Sequence, residues 1–571
     1  MTPRPTPTLP LPSDAALVMP GSKSEANRLL ACAALSPFAH ELRGLPDALD
    51  VQHMVQGLRT LGYAIDELPG AAGVVQVGAT RDASAASGEL FCGNAGTAIR
   101  FLTAVAAVTP GEWTLTGDPQ LAQRPLQPIV DALASMGTDA RAHADGLPLL
   151  VSGGAIDADE VTVDVSVSSQ FASALMLIAP ALPRGLTVHF SAEVASRRYL
   201  DLTCRALRRA GARASLRSDH VRVEAGFAAA QGPLEVTGDW SAMGVWTCLN
   251  HLTGSRIHGD RLVTDSDQAD EALARVLQSL DGSGERVVDV EPLPDQFLNL
   301  AVVAALREGV THVRGAANVR TKECDRVAVM ARELRRCGVD LDEHEDGLTV
   351  RGGRGLRGAV IDPAGDHRVA IAMTLLGCFV QGVAIEDPDC VRKSYPTFWE
   401  DLDVIRAEHR AVALVGMRGA GKSTLGRALA EHLGSRFVDA DSVFEARNGP
   451  IAAFVERHGW PAFRHEEAVV LAEALSPGRV LATGGGVVET DSSLELLRAN
   501  SVVVHVDAPV EQLRARIAGS GRPSLTGAPV TEELDAVLER RHPLYRQIAH
   551  RTVDATMSPT DQLRAALRSE P

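Results

Sequence analysis

The sequence predicts an α/β protein in two parts: a long region of repeated α/β units, then a domain with a parallel sheet around a phosphate-binding loop. Gly416-Met-Arg-Gly-Ala-Gly421-Lys422-Ser423-Thr424 is a complete G-x-x-x-x-G-K-S loop. The apolar run Ala411-Val-Ala-Leu-Val415 supplies the strand that such a loop must follow. The first part rests on a recurring pattern of amphipathic helix, glycine stop and strand. It occurs at 54–62, 129–137, 202–211 and 330–338, the first three about 75 residues apart, a spacing that suits a repeated supersecondary unit.

At 571 residues the chain exceeds what one core serves. A boundary is expected near residues 400–410, giving domains 1–407 and 408–571. No apolar run reaches the roughly 18 residues of a membrane span. The Pro-rich start, Met1 to Pro10, lacks an apolar stretch with a small-residue cleavage site, so it reads as a loose tail and not a signal peptide. A cytoplasmic location follows by default. Eight scattered cysteines with no C-x-x-C pair argue against a disulfide framework or a zinc site. The net charge of −16 excludes a general nucleic-acid binder. It leaves anionic small molecules open, because local cation clusters decide those.

Such clusters recur along the first part. Pro20-Gly-Ser-Lys23-Ser24-Glu-Ala-Asn27-Arg28 is a Gly-led turn opening a helix, with cations and hydroxyls where a helix N-terminus attracts anions. Gly93-Asn94-Ala-Gly96-Thr97-Ala-Ile-Arg100 repeats that design. Arg124-Pro, Ser168-Ser169-Gln170, Lys322-Glu323-Cys-Asp325-Arg326, Asp366-His367-Arg368 and Lys393 add further groups. Together they suggest one cleft for two anionic ligands.

In the second part, the glycines of the loop let backbone N–H groups face phosphate oxygens. Lys422 reaches the outer phosphates and the Ser423 hydroxyl ligates Mg²⁺. Asp439 and Asp441 stand two apart at an expected strand end, so both carboxylates should point one way. One would hold the metal through water and the other accept a substrate hydroxyl. Alternatively, Asp441 caps a helix over 442–447. Phe463-Arg464-His-Glu-Glu467 places an arginine at a helix start. Gly484-Gly485-Gly486 allows close approach of a ligand. Arg516, Arg522-Pro and Arg541-His-Pro-Leu-Tyr545 add cations, and Gly519-Ser-Gly521 suits a mobile lid.

The D-x-D, F-R-x-x-E, G-G-G, R-P and R-x-P-L-Y elements over 410–571 resemble shikimate kinase. The resemblance implies that Asp441, Arg464, Gly485, Gly486 and Arg541 bind shikimate, with Asp441 orienting its 3-hydroxyl. It implies ATP on Gly419, Ala420, Gly421, Lys422, Ser423, Thr424, Arg516 and Arg522, and Mg²⁺ on Ser423 and Asp439. Ser524 stands where that family usually has Leu.

The P-G-S-K-S-x-x-N-R, G-N-A-G-T-A-x-R, S-S-Q, K-E-x-D-R and D-H-R elements resemble 5-enolpyruvylshikimate-3-phosphate synthase over about 390 residues. The implied fold is the two-half enolpyruvyl transferase fold. Its lower half would run roughly over 20–237, and its upper half over 1–19 plus 238–405. Shikimate 3-phosphate would lie on Lys23, Ser24, Arg28, Ser168, Ser169, Gln170, Ser196, Asp295, Asn318 and Lys322, with Tyr199 near its ring. Phosphoenolpyruvate would lie on Lys23, Asn94, Gly96, Arg124, Gln170, Arg326, His367, Arg368 and Lys393. Asp295 would accept the 5-hydroxyl proton and Glu323 donate to the methylene carbon, although Lys322 and Arg326 should hold Glu323 ionised. No cofactor is implied for this region. Gly96 is retained, which implies glyphosate sensitivity, while Phe101 replaces a Pro common in relatives.

The order of the two regions resembles the central part of the fungal pentafunctional arom polypeptide. The expected function is therefore bifunctional: shikimate phosphorylation, then enolpyruvyl transfer to the product, in aromatic amino acid biosynthesis. The alternative is a synthase whose second region is a regulatory nucleotide-binding module or a kinase for another polyol acid. Expected partners are these small molecules, with no nucleic acid and no membrane.

Overall fold

The computed structural model describes residues 3–7, 13–407, 410–476, 478–517 and 533–567. Arg522, Ser524 and the Gly519–Gly521 stretch lie outside the described residues. The chain divides into two compact units. One holds most of residues 16–400; the other holds 401–571 with the short segments 7–15 and 249–257.

Four four-stranded sheets in the first unit share one plan. Their strand orders begin with Leu234–Glu235 and His40–Arg43, Ser87–Phe91 and Gly111–Thr116, Glu160–Val163 and Leu186–Phe190, and Arg286–Asp289 and Gly309–Arg314. Each of these leading pairs is parallel. Every other pairing is antiparallel. The outer strand of each sheet follows a helix and a glycine, as the sequence pattern predicts. These helices are Leu49–Thr60, Gln127–Ser135, Arg198–Arg209 and Arg326–Arg336. The glycines that end them, Gly62, Gly137, Gly211 and Gly338, have φ of 93°, 91°, 95° and 85°, a left-handed conformation that glycine adopts without a Cβ clash.

Between the sheets run helices with few exposed residues. Lys23–Leu35, Gly96–Ala107, Gln170–Ile178, Phe297–Leu306 and His367–Gly377 are buried over most of their length, as an apolar surface on all sides requires. Their side chains build the core, so their ends are the parts left available for chemistry.

The second unit has a five-stranded, wholly parallel sheet. Its order is Arg436–Asp439, Arg479–Ala482, Ala411–Val415, Ser501–Asp507, Arg551–Asp554. All five residues of the central strand are buried, which explains its unbroken apolar run. The phosphate-binding loop leaves its carboxyl end, where the chain has crossed to both sides of the sheet and a crevice opens. Among the described residues, no helix is long and apolar enough to cross a membrane.

One local expectation is corrected. The strand ends at Asp439 and the helix Ala440–Asn448 begins at once. Asp439, not Asp441, is the cap: its carboxylate accepts from the Ser442 N–H. Asp441 sits inside the first helical turn, so the two-residue alternation of a strand does not orient the pair.

Candidate active sites

Five helix N-termini meet at one cavity in the first unit. Lys23 and Ser24, Gly96 and Thr97, Gln170, Arg326 and Arg368 line it from the first turns of their helices. Each N-terminus brings backbone N–H groups without an intrahelical partner and a positive dipole end. Arg124, Ser168, Tyr199, Asn318 and Lys322 complete the wall, with the carboxylates of Asp295 and Glu323. Thus the clusters at 23–24, 96, 124, 168–170, 318–326 and 368, spread over some 345 residues of sequence, share one space.

The cations and carboxylates of this cavity neutralise one another. Glu323 accepts from Arg326 Nη2 at 2.8 Å and Lys393 Nζ at 2.9 Å, with Arg124 Nη2 at 3.4 Å. Asp295 accepts from Arg326 Nη1 at 3.0 Å, Arg368 Nη2 at 3.1 Å and the Tyr199 hydroxyl at 3.0 Å. Burial opposes ionisation of Glu323, but Lys393, Arg326 and Arg124 outweigh it and hold the carboxyl well below its usual range. The same contest holds Asp295 ionised, against Arg368, Lys322 and Arg326. The sequence expectation for Glu323 therefore has the right direction with a different partner: Lys393, at the end of the distant 3-10 helix Pro388–Lys393, takes the place expected of Lys322. Burial pushes the Lys322 ammonium down to about 8, even with Asp295 nearby.

Several expected residues are tied to one another, and Arg28 and His367 are fully buried behind the wall. Arg28 is 1% exposed, and donates to Thr203 Oγ1 at 2.8 Å and the Ser24 carbonyl at 2.7 Å. Ser169 donates to the Ser196 carbonyl at 3.3 Å, and Asn318 Nδ2 to the Ser196 hydroxyl at 3.3 Å. The Asn94 carbonyl accepts from Lys393 Nζ at 2.9 Å and Arg124 Nη1 at 3.3 Å. His367 is fully buried, and both ring nitrogens lack a hydrogen-bond partner among the described residues, although Nδ1 lies 3.8 Å from Asp366 Oδ1. Burial, then the Lys23 charge, hold its ring neutral. Gly96 is small for a steric reason: a Cβ there would collide with Arg124 Nη1.

Other residues of this network were not singled out from sequence. Asp50 holds Lys23 Nζ at 2.7 Å. Arg100 donates to Gln170 Oε1 at 2.6 Å. Asp366, fully buried, accepts from Arg326 Nε at 2.7 Å and caps the next helix through the Arg368 N–H. Asp366 and Arg100 stood inside the quoted motifs. Asp50 had no local signal.

The second unit carries two adjoining cavities. One is lined by the loop residues Gly419, Ala420, Gly421, Lys422, Ser423 and Thr424, with Asp439, Arg516 and the segment 555–557. Gly419 and Gly421 have φ of 80° and 105°, the conformation that turns N–H groups inward. Lys422 Nζ donates to the carbonyls of Gly416 and Met417 at 2.9 and 3.0 Å. Ser423 Oγ donates to Asp439 Oδ2 at 2.7 Å. Arg516 Nη1 donates to the Gly419 carbonyl at 3.0 Å. The segment 555–557 follows the last strand at the sheet's carboxyl end, a position that could have flagged it.

The other cavity is lined by Phe463, Arg464, Glu467, the triplet Gly484, Gly485 and Gly486, and Arg541. A Cβ on Gly486 would collide with Arg464, and one on Gly484 with Glu467. Gly459 breaks the long helix Ile451–Ala474 with φ 80°, so Arg464 lies near the start of its second segment, as expected. Glu489 draws the arginines together: it accepts from Arg464 Nη2 at 3.0 Å and Arg541 Nη2 at 2.6 Å. Sequence reading did not single it out. Arg418 and Asp441 border both cavities.

Comparison with known proteins gives this geometry a family. Residues 10–402 match the family model of EPSP synthase (3-phosphoshikimate 1-carboxyvinyltransferase), and residues 418–569 match that of shikimate kinase. The pentafunctional AROM polypeptide of Yarrowia lipolytica is 33% identical over 591 residues, 93% of this chain and 38% of that one. The pentafunctional AROM polypeptide of Malassezia globosa is 32% identical over 653 residues, 96% of this chain and 40% of that one. The chain thus spans about two fifths of the length of these curated relatives. An EPSP synthase structure from Acinetobacter baumannii superposes with a TM-score of 0.58 at 22% identity, covering 71% of this chain and 98% of that one, which establishes the fold. The chain belongs to the EPSP synthase family through residues 10–402, followed in order by a shikimate kinase domain at 418–569.

Proposed function

We propose that the chain catalyses two consecutive transferase reactions: ATP-dependent phosphorylation of shikimate at its 3-hydroxyl, then transfer of an enolpyruvyl group from phosphoenolpyruvate to the 5-hydroxyl of shikimate 3-phosphate. We also infer a division near residues 407–408, with each activity on its own side. The order of the family matches supports both readings.

For the kinase, one observation carries the reading. Asp441 borders both the nucleotide cavity and the glycine-triplet cavity, so a hydroxyl held by its carboxylate faces the terminal phosphate for in-line transfer. Arg464 and Arg541 would take the shikimate carboxylate, displacing Glu489. Lys422 neutralises phosphate charge. Ser423 and Asp439 offer an all-oxygen donor set that fits Mg²⁺, an ion that screens the phosphates when bound.

For the synthase, the neutralised cleft carries the reading. The anions of phosphoenolpyruvate and shikimate 3-phosphate compete for Arg124, Arg326, Arg368, Lys393 and Lys23. Cations drawn to the ligands no longer hold Glu323 ionised, and burial then pushes its carboxyl pKa up. That change lets Glu323 carry the proton that goes to the methylene carbon of phosphoenolpyruvate. Asp295, relieved of Arg368, accepts the 5-hydroxyl proton as the oxygen bonds to the adjacent carbon. Loss of phosphate and of a methyl proton then leaves the enolpyruvyl ether.

The test incubates the whole chain with shikimate, ATP, Mg²⁺ and phosphoenolpyruvate and follows products by mass spectrometry. The expected result is the enolpyruvyl product, with shikimate 3-phosphate as its precursor. Unchanged shikimate with conversion of added shikimate 3-phosphate would overturn the kinase reading and leave the synthase.

A further inference from the structure

Outside both cavities, three side chains of the second unit converge. His505 and Asp507 end the strand Ser501–Asp507, two apart and therefore on one face. His542 reaches them from the helix Leu534–Ile548. A ring nitrogen of each histidine and a carboxylate oxygen of Asp507 all lie within 4.8 Å of one another. His542 Nε2 is 3.3 Å from Asp507 Oδ2. His505 is 2% exposed, and its Nδ1 has no hydrogen-bond partner among the described residues. A buried polar nitrogen left unsatisfied is costly, and its presence calls for a missing partner.

We propose that His505, Asp507 and His542 bind a divalent transition ion of the zinc type, at a position separate from Ser423 and Asp439. Two imidazoles and one carboxylate suit such an ion, whereas Mg²⁺ requires oxygen donors. Arg546 and Lys422 also act electrostatically on the His505 ring. Arg546 and Lys422 repel any cation, so binding depends on direct coordination and not on general negative charge.

The geometry needs only a small contraction. Metal–ligand bonds of about 2.0–2.2 Å place neighbouring ligand atoms roughly 3.3–3.5 Å apart. Asp507 and His542 are 42% and 33% exposed along their side chains and can move inward. His505 is the fixed member, stacked on Tyr545 with ring centroids 5.2 Å apart. Three protein ligands leave a fourth position for water. The ion would tie the helix that carries Arg541 to the central sheet.

The test uses the full chain without an affinity tag. Zn²⁺ binding is measured by calorimetry, and Co²⁺ serves as a spectroscopic probe of coordination. One ion per chain is expected, with a Co²⁺ spectrum of nitrogen and oxygen ligation. His542→Ala and Asp507→Ala should each weaken binding by at least about tenfold. Both positions are partly exposed, so an unchanged melting temperature confirms that the fold survives. No binding by the parent chain overturns the proposal. So does equal affinity in both variants, which marks an adventitious ion elsewhere, or a loss in only one, which breaks the three-ligand set.

Discussion

The cleft of the first unit and the phosphate-binding loop of the second both set helix N-termini against a cavity, yet they are assembled in opposite ways. The loop is contiguous, from Gly416 to Thr424. The cleft takes its wall from residues between Lys23 and Arg368, delivered by five helices of separate repeats. Their charge balance differs too. Lys422 rests on the neutral carbonyls of Gly416 and Met417. In the cleft, Arg326 alone faces Asp295, Glu323 and Asp366. An anion entering the loop meets the backbone N–H groups of one contiguous turn, with Asp439 and Asp441 at the cavity wall. An anion entering the cleft must first compete with the protein's own carboxylates. A site made of many distant cations cannot be left unneutralised without cost to folding; a loop of backbone N–H groups can.

The largest effects should separate the two sites. Asp295→Asn is expected to lower synthase kcat by about 10²–10⁴-fold and leave shikimate phosphorylation unchanged. Lys422→Ala should do the reverse. Coupled assays on the intact chain check this, and a joint loss from either change would break the comparison.

Arg326→Ala should destabilise the first unit by about 3–5 kcal/mol, because Asp366 stays buried without its partner. Thermal unfolding measures it. Lys422→Ala should shift stability far less, and equal shifts would refute the contrast in charge balance.

Gly96→Ala should cost up to about 10²-fold in kcat/KM for phosphoenolpyruvate, since the new Cβ displaces the Arg124 guanidinium. An unchanged value would show that Arg124 tolerates the shift.

The lowered Lys322 pKa gives a pH signature. With a folded value of about 8 against an ordinary 10.5, the folded chain binds fewer protons than the unfolded chain between those values. Lys322 therefore contributes stability that rises with pH across that window. Ligand binding runs the other way. If the proposed contact of shikimate 3-phosphate with the ammonium holds, its affinity should fall roughly tenfold between pH 7 and 9. Lys322→Arg should flatten that profile in calorimetry.

The smallest effect is expected at Glu489→Gln, which loosens Arg464 and Arg541 without removing either. A few-fold change in KM for shikimate with kcat intact would place Glu489 as a positioning residue.

Much of this architecture was legible in the chain itself. Four helix–glycine–strand signals became four sheets of one plan, because a left-handed glycine ends a helix by local backbone sterics. The loop at 416–424 was legible for the same local reason. The motifs at 20–28 and 93–100 marked helix starts, and each helix begins where its motif stands. Local reasoning failed where neighbours in space decide. Asp439 and Asp441 were read as one strand face, but the helix starts between them. Asp50, Asp366 and Glu489 are anionic partners of cations the motifs had flagged, and their spacing in sequence carries no sign of it.

The sequence by itself determined the fold class, the repeat, the family resemblance and the cation clusters at helix starts. These follow from local sterics, periodicity and short motifs. Only the tertiary structure decided which carboxylate neutralises which cation, that Arg28 lies behind the wall, and that His505 faces His542. Coulomb and desolvation energies depend on distance and burial in space, and separation along the chain fixes neither.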